Sequence, residues 1–244
     1  VAVDPIASAD GPAWRPPFGP LATILLAVVA FGLGQAAAAV AVSAGLGQEG
    51  LGRLALPADA TVVVWAVLIA NLVQTAVLLV LAMGRAPPAR YLGLDRPGRG
   101  SLVFGAACLV ALVIVANVLT LALGRDLVPP VQIAVWRSAA DQGMVLPLLI
   151  ALVIVAPIGE ELLFRGFLFA GCARTPRSAR ITIAATAAVF AALHVQYDAF
   201  GIALIFAIGV LFGWLRWRSG STSLTILLHM GLNAEGLIET MLVA

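Results

Sequence analysis

Long apolar runs, broken by short polar or proline-bearing separators, organise this chain. Runs near 20–44, 61–83, 101–124, 145–171, 181–196, 199–216 and 221–243 predict helices. The separators carry the breakers: Gly45 to Pro57, Pro87 and Pro88 to Gly100, Pro129 with Pro130, Pro176, and Ser219 with Gly220. Crossing a hydrocarbon core of roughly 30 Å takes about 20 helical residues. The fifth and sixth runs are short for that, so tilting or shielding inside a bundle is expected of them. The pattern predicts an all-α fold, a polytopic transmembrane bundle of about seven helices. Residues 20–244 form it as one domain, behind a polar, Pro-rich tail over 1–19. The first apolar run has no convincing small-residue cleavage site after it, so no cleaved leader is expected.

Composition places the bundle in a bilayer. The chain is 62% hydrophobic and 11% charged, whereas soluble domains lie near one half apolar and one quarter charged. An integral membrane protein with no nucleic-acid partner is expected, in a bacterial plasma membrane. Cys108 and Cys172 sit at no motif spacing, which argues against a disulfide framework or a cysteine metal site. Arginine placement orients the chain. Arg15, Arg85, Arg90, Arg96, Arg99, Arg174, Arg177, Arg180, Arg216 and Arg218 fall on one set of alternating loops, and only Arg53, Arg125 and Arg137 on the other. The positive-inside rule then puts the N-terminus in the cytoplasm and, after seven crossings, the C-terminus outside.

Against this background the polar residues of the later helices are costly. An ionised side chain at bilayer depth costs roughly 2.5–3.5 kcal/mol even on lenient insertion scales, unless it is paired or faces water. Glu160, Glu161 and Arg165 interrupt one apolar run, and the chain's two histidines, His194 and His229, fall in others. Glu161 and Arg165 stand at i and i+4, so they share a helix face and can pair. Glu160 points about 100° away. His229 and Asn233 also stand at i and i+4. Pro157 and Gly159 just before the glutamates can loosen the helix and free backbone groups. At about 1.5 Å per residue, Glu160 lies roughly 16 Å from the cytoplasmic end of its helix, His194 roughly 21 Å, and His229 to Asn233 roughly 12 to 18 Å. Three helices are therefore expected to place polar groups in one layer. Blander roles are expected elsewhere: Asn71, Gln74 and Asn117 as helix–helix hydrogen-bonding residues, Phe190 as core, Asp198 as solvated, and Trp14, Trp65, Trp136, Trp214 and Trp217 as interfacial anchors or packing.

The patterns E-E-x-x-x-R at Glu160, F-x-x-x-H at Phe190 and H-x-x-x-N at His229, in that order on successive helices, resemble the CPBP family of CAAX proteases and bacteriocin-processing enzymes, also called Abi. The resemblance covers roughly residues 145–240, and the segment from Arg90 to Leu94 resembles a recurring family junction. It implies an intramembrane endopeptidase similar to the type II CAAX prenyl endopeptidases, with a membrane-associated and in some cases lipidated protein or peptide as substrate. Glu160 would be the general base that activates a water, and His194 would hold the same water. His229 and Asn233 would stabilise the oxyanion, and Glu161 would pair with Arg165 to hold the helix. Amide hydrolysis needs both functions, an activated water and a stabilised oxyanion.

No cofactor is expected. Glu160, His194 and His229 could supply three ligands to zinc with water as the fourth, but no H-E-x-x-H is present and the metal-free reading is preferred. Two other functions compete: a non-catalytic membrane scaffold or immunity-type protein, and an ion-coupled transporter. A degenerate scaffold would be expected to have lost one of Glu160, His194, His229 and Asn233. A transporter predicts pseudo-symmetric halves, and no internal repeat is visible.

Overall fold

A computed structural model describes residues 17–54, 58–83 and 87–244, without the side chains of 46–54. Arg15, Trp14, Arg85 and the side chain of Arg53 lie outside the described residues. Nine helices and no strand occur among the described residues: α1 (Pro20–Leu54), α2 (Ala60–Met83), α3 (Pro88–Leu92), α4 (Arg99–Ala122), α5 (Pro130–Asp141), α6 (Val145–Cys172), α7 (Pro176–Ala192), α8 (Ala199–Ser219) and α9 (Thr222–Val243). Six are long and apolar enough to cross a membrane: α1 over Pro20–Gly45, α2, α4, α6, α8 and α9. The protein is a multi-pass integral membrane protein.

All seven sequence runs are helices, with shifted ends. α1 continues past Gly45 to Leu54, because glycine weakens a helix without stopping it. The fifth run is displaced: α7 covers Pro176–Ala192, not 181–196. Pro176 fits its first turn, where no N–H is needed. The Thr175 side chain accepts from the Ser178 backbone N–H, and Ser178 Oγ accepts from the Thr175 N–H, closing a capping box. Two helices were read as separators. Both α3 and α5 open on a proline that follows another proline, a pair that reads as a breaker in sequence alone. Asp198, expected to be merely solvated, is the N-cap of α8, accepting from Gly201 N–H at 2.9 Å.

The chain divides into two compact units. The first comprises residues up to Val28, Leu78–Leu112 and Glu161–Leu228. Within it, α3 is stopped by Gly93, whose φ of 66° only glycine adopts at little cost. A Cβ there would also come within 2.5 Å of Arg216 Nη2. The Leu92 and Gly93 carbonyls accept from Thr222 Oγ1 (2.6 Å) and Thr222 N–H (2.7 Å). Leu92 lies against Gly166 of α6, and the Tyr91 ring meets Phe167 edge-on at 5.5 Å. Burial pushes the Tyr91 phenol up to about 12, so it stays protonated under physiological conditions. The junction from Arg90 to Leu94 is thus a small plug docked on α6. Arg90, Arg96, Arg99, Arg174, Arg177, Arg180, Arg216 and Arg218 all belong to this unit, whereas Arg125 and Arg137 belong to the other.

The second unit comprises Val29–Val77, Val113–Glu160 and His229–Ala244. Its core gathers Ala60, Val64, Ala139 and Leu148, fully buried, with Trp136 and Val135 packed around them. Ser138 Oγ accepts from Ala60 N–H (3.0 Å) and Gln142 Oε1 from Thr61 N–H (3.2 Å). In this way α5 satisfies donors that the start of α2 cannot satisfy internally.

Candidate active site

The helix carrying the paired glutamates is not regular. Within α6, α-helical turns at Ala156–Glu161 are set between π-helical stretches at Ile150–Val155 and Leu162–Leu168. Such wide turns are rare and concentrate at functional sites. Pro157 supplies one cause: its ring clashes with the preceding turn, and it has no N–H to donate.

In the first unit, Glu161 and Arg165 form the expected pair. Arg165 Nη1 donates to Glu161 Oε1 at 2.9 Å, with side chains 0% and 1% exposed for Glu161 and Arg165. Arg165 Nη2 donates to the Gly209 carbonyl at 3.0 Å, and the guanidinium sits 5.0 Å from the Phe190 ring centre and 5.7 Å from that of Phe212. Gly209 is needed for the close approach of α8: a Cβ there would lie 3.0 Å from Ala187 Cα. The Arg165 carbonyl accepts from Arg216 Nε (3.0 Å). The bonds to Glu161 and the Gly209 carbonyl offset part of the desolvation that burying the guanidinium costs.

His194 also belongs to this unit, two residues beyond the end of α7 and half-buried. Its Nδ1 lies 2.7 Å from the Phe190 carbonyl. Because a carbonyl only accepts, Nδ1 carries the proton and Nε2 of the neutral ring is an acceptor. Phe190 is core, as expected, but it serves both neighbours: its ring lies under Arg165 and its carbonyl fixes the His194 tautomer.

In the second unit, α6 and α9 bring Glu160 and His229 together. Glu160 Oε2 is 3.8 Å from His229 Nε2, with side chains 28% and 6% exposed. Asn233, one turn on from His229, donates from Nδ2 to the Leu152 carbonyl at 2.7 Å. Residues that sequence reasoning took as general packing lie here too. Gln74 Nε2 donates to the Gly159 carbonyl at 3.0 Å, next to Glu160. A Cβ on Gly159 would fall on Asn71 Oδ1 and within 2.8 Å of Asn71 Cβ. The available signal was their spacing, since amides at i and i+3 share one face of an apolar helix. Gly159→Ala is therefore expected to destabilise the protein by about 1–3 kcal/mol through overpacking, and Asn71→Ala in the same chain to recover part of that. Thermal unfolding in detergent measures both; an unaffected single variant would contradict the close approach.

Among the described residues, no cluster of three or more His, Cys, Asp or Glu side chains is arranged to hold a metal ion. An apolar groove of about 370 Å³ runs along α6 and α9, lined by Leu149, Val153, Ala234, Leu237 and Ile238 among others.

The glutamate helix, the two histidines and Asn233 all fall within residues 142–234, which match the family described as type II CAAX prenyl endopeptidase Rce1-like. Over that segment the chain is similar to the CAAX protease family. It also resembles a curated relative, an "Uncharacterized 24.3 kDa protein" of Escherichia coli, at 32% identity over 139 residues. That alignment covers 55% of this chain and 64% of the relative, so the chain spans a little under two thirds of the relative's length. No solved structure matches.

Proposed function

We propose that this protein is an intramembrane endopeptidase that hydrolyses a peptide bond of a membrane-associated protein or peptide. The observation that carries the reading is the approach of Glu160 to His229 at 3.8 Å, beside a separately neutralised Glu161. That distance is too long for a hydrogen bond, yet one small oxygen about 2.8 Å from each group would fit between them at an angle of about 85°. Glu160 takes a proton from water as the water oxygen attacks the scissile carbonyl carbon. The negative charge that develops on the carbonyl oxygen is held by N–H groups of His229 and Asn233. Glu160 then returns the proton to the departing amine as the C–N bond breaks. The resemblance assigns His194 to the same water. The apolar groove along α6 and α9 suits an apolar or lipidated substrate segment.

The test compares new N-termini in membranes from cells producing the wild type or Glu160→Gln. Termini present only with the wild type support the reading; identical sets defeat it, and the family scaffold without catalysis then becomes the better account.

The site is proposed to work without a metal. The sequence supports this, because it contains no H-E-x-x-H pattern of a catalytic zinc centre. Cleavage is expected to be unchanged after dialysis against a strong chelator, and elemental analysis to find less than one zinc per protein. Loss of activity that zinc restores would reverse this conclusion.

A further inference from the structure

We propose that Pro157 is a positioning residue: by withholding a backbone N–H from the Leu152 carbonyl, it leaves that carbonyl to orient the Asn233 amide. The inference rests on the proposed oxyanion role of Asn233 and deepens it.

The argument is one of hydrogen-bond register. In the first π-helical stretch each N–H bonds the carbonyl five residues back, and Ala156 N–H does so to the Ala151 carbonyl. Continuing that register, residue 157 would donate to the Leu152 carbonyl. Proline has no such donor. A carbonyl left over in an apolar setting must find a partner, and Asn233 Nδ2 supplies it at 2.7 Å from α9. A carboxamide nitrogen carries two hydrogens. Fixing one on Leu152 fixes the plane of the amide, and so the direction of the second. Preorganised donors of this kind are what oxyanion stabilisation depends on. With an ordinary residue at 157, the backbone N–H would compete for the same carbonyl from within the helix, where it needs no ordering of a second element.

Pro147 gives an internal contrast. It stands in the first turn of α6, at the third residue after Met144, where an N–H has no intrahelical acceptor to lose. Its missing donor leaves no interior carbonyl behind.

Three variants and one spectrum test the proposal. Pro157→Ala is expected to keep the protein folded, since alanine favours helix, and to lower cleavage about 10- to 100-fold, a smaller loss than that of Asn233→Ala, because the amide remains but is no longer oriented. The double variant is expected to be no worse than Asn233→Ala alone by more than about 3-fold, because both changes remove one interaction. Pro147→Ala is expected to cleave like the wild type. The chain has three asparagines, at 71, 117 and 233, so asparagine-selective ¹⁵N labelling resolves the side-chain amides. The Asn233 pair, assigned by its loss in Asn233→Ala, is expected to shift in Pro157→Ala and to stay in place in Pro147→Ala.

An unshifted Asn233 amide in Pro157→Ala overturns the proposal, as do losses that multiply in the double variant. The second result would mean that Pro157 acts on helix shape and not through Asn233. If Glu160→Gln cleaves as well as the wild type, the endopeptidase reading has failed instead. The amide shift still decides whether Pro157 governs the Leu152 carbonyl.

Discussion

Glu160→Gln is expected to lower the rate at which new N-termini appear about a thousandfold, within the roughly 10²–10⁴ attributed to a positioned acid–base group. The substitution keeps shape and polarity but removes the negative charge and the ability to take up a proton. Its effect on stability is expected to be small, because the Glu160 side chain is 28% exposed and is not part of the buried pair formed by Glu161. Both measurements are needed. A protein that melts like the wild type and no longer cleaves identifies a chemical role. A variant that melts like the wild type and cleaves within about threefold of it removes Glu160 from the mechanism, given the size of effect a general base must have. His229→Ala and Asn233→Ala are expected to lose about 10²–10³ in rate, as removal of an oxyanion donor does elsewhere.

Much of this arrangement was legible before any coordinates. Helix geometry alone separated Glu161 from Glu160, since residues four apart meet and adjacent residues diverge. It placed Arg165 on the correct glutamate. Pro157 and Gly159 were readable as a loosened stretch, and the structure turns that expectation into two π-helical segments with a diverted carbonyl at Leu152. What stayed hidden depends on contacts between distant parts of the chain. Gln74 meets Gly159 across 85 positions in sequence, and Thr222 meets Leu92 across 130. Periodicity says that a polar residue lies on a face of a helix; it does not say which carbonyl that face will meet. The short helices α3 and α5 were missed for a different reason. Their opening prolines are breakers in one context and good first-turn residues in another, and only the following residues' packing decides between the two.

The other large effect concerns the charge that faces no chemistry. Arg165→Ala is expected to destabilise the protein by about 3–5 kcal/mol, the usual cost of stranding one member of a buried pair. The variant leaves the Glu161 carboxylate buried without its 2.9 Å partner, removes the donor to the Gly209 carbonyl, and empties the space between Phe190 and Phe212. Arg165→Lys should fall in between, because one ammonium lacks the planar fork that spans Glu161 and Gly209. A double change to Glu161→Gln and Arg165→Met is expected to recover most of the loss, since it removes both charges together. Thermal unfolding in detergent ranks the four proteins. If Arg165→Ala melts with the wild type, the pair does not hold this part of the fold, and the division of labour between the two glutamates loses its structural half. If the double change restores melting while cleavage also returns, the pair acts only through stability. If melting returns and cleavage does not, Arg165 also sets geometry through Phe190, whose carbonyl holds the His194 ring.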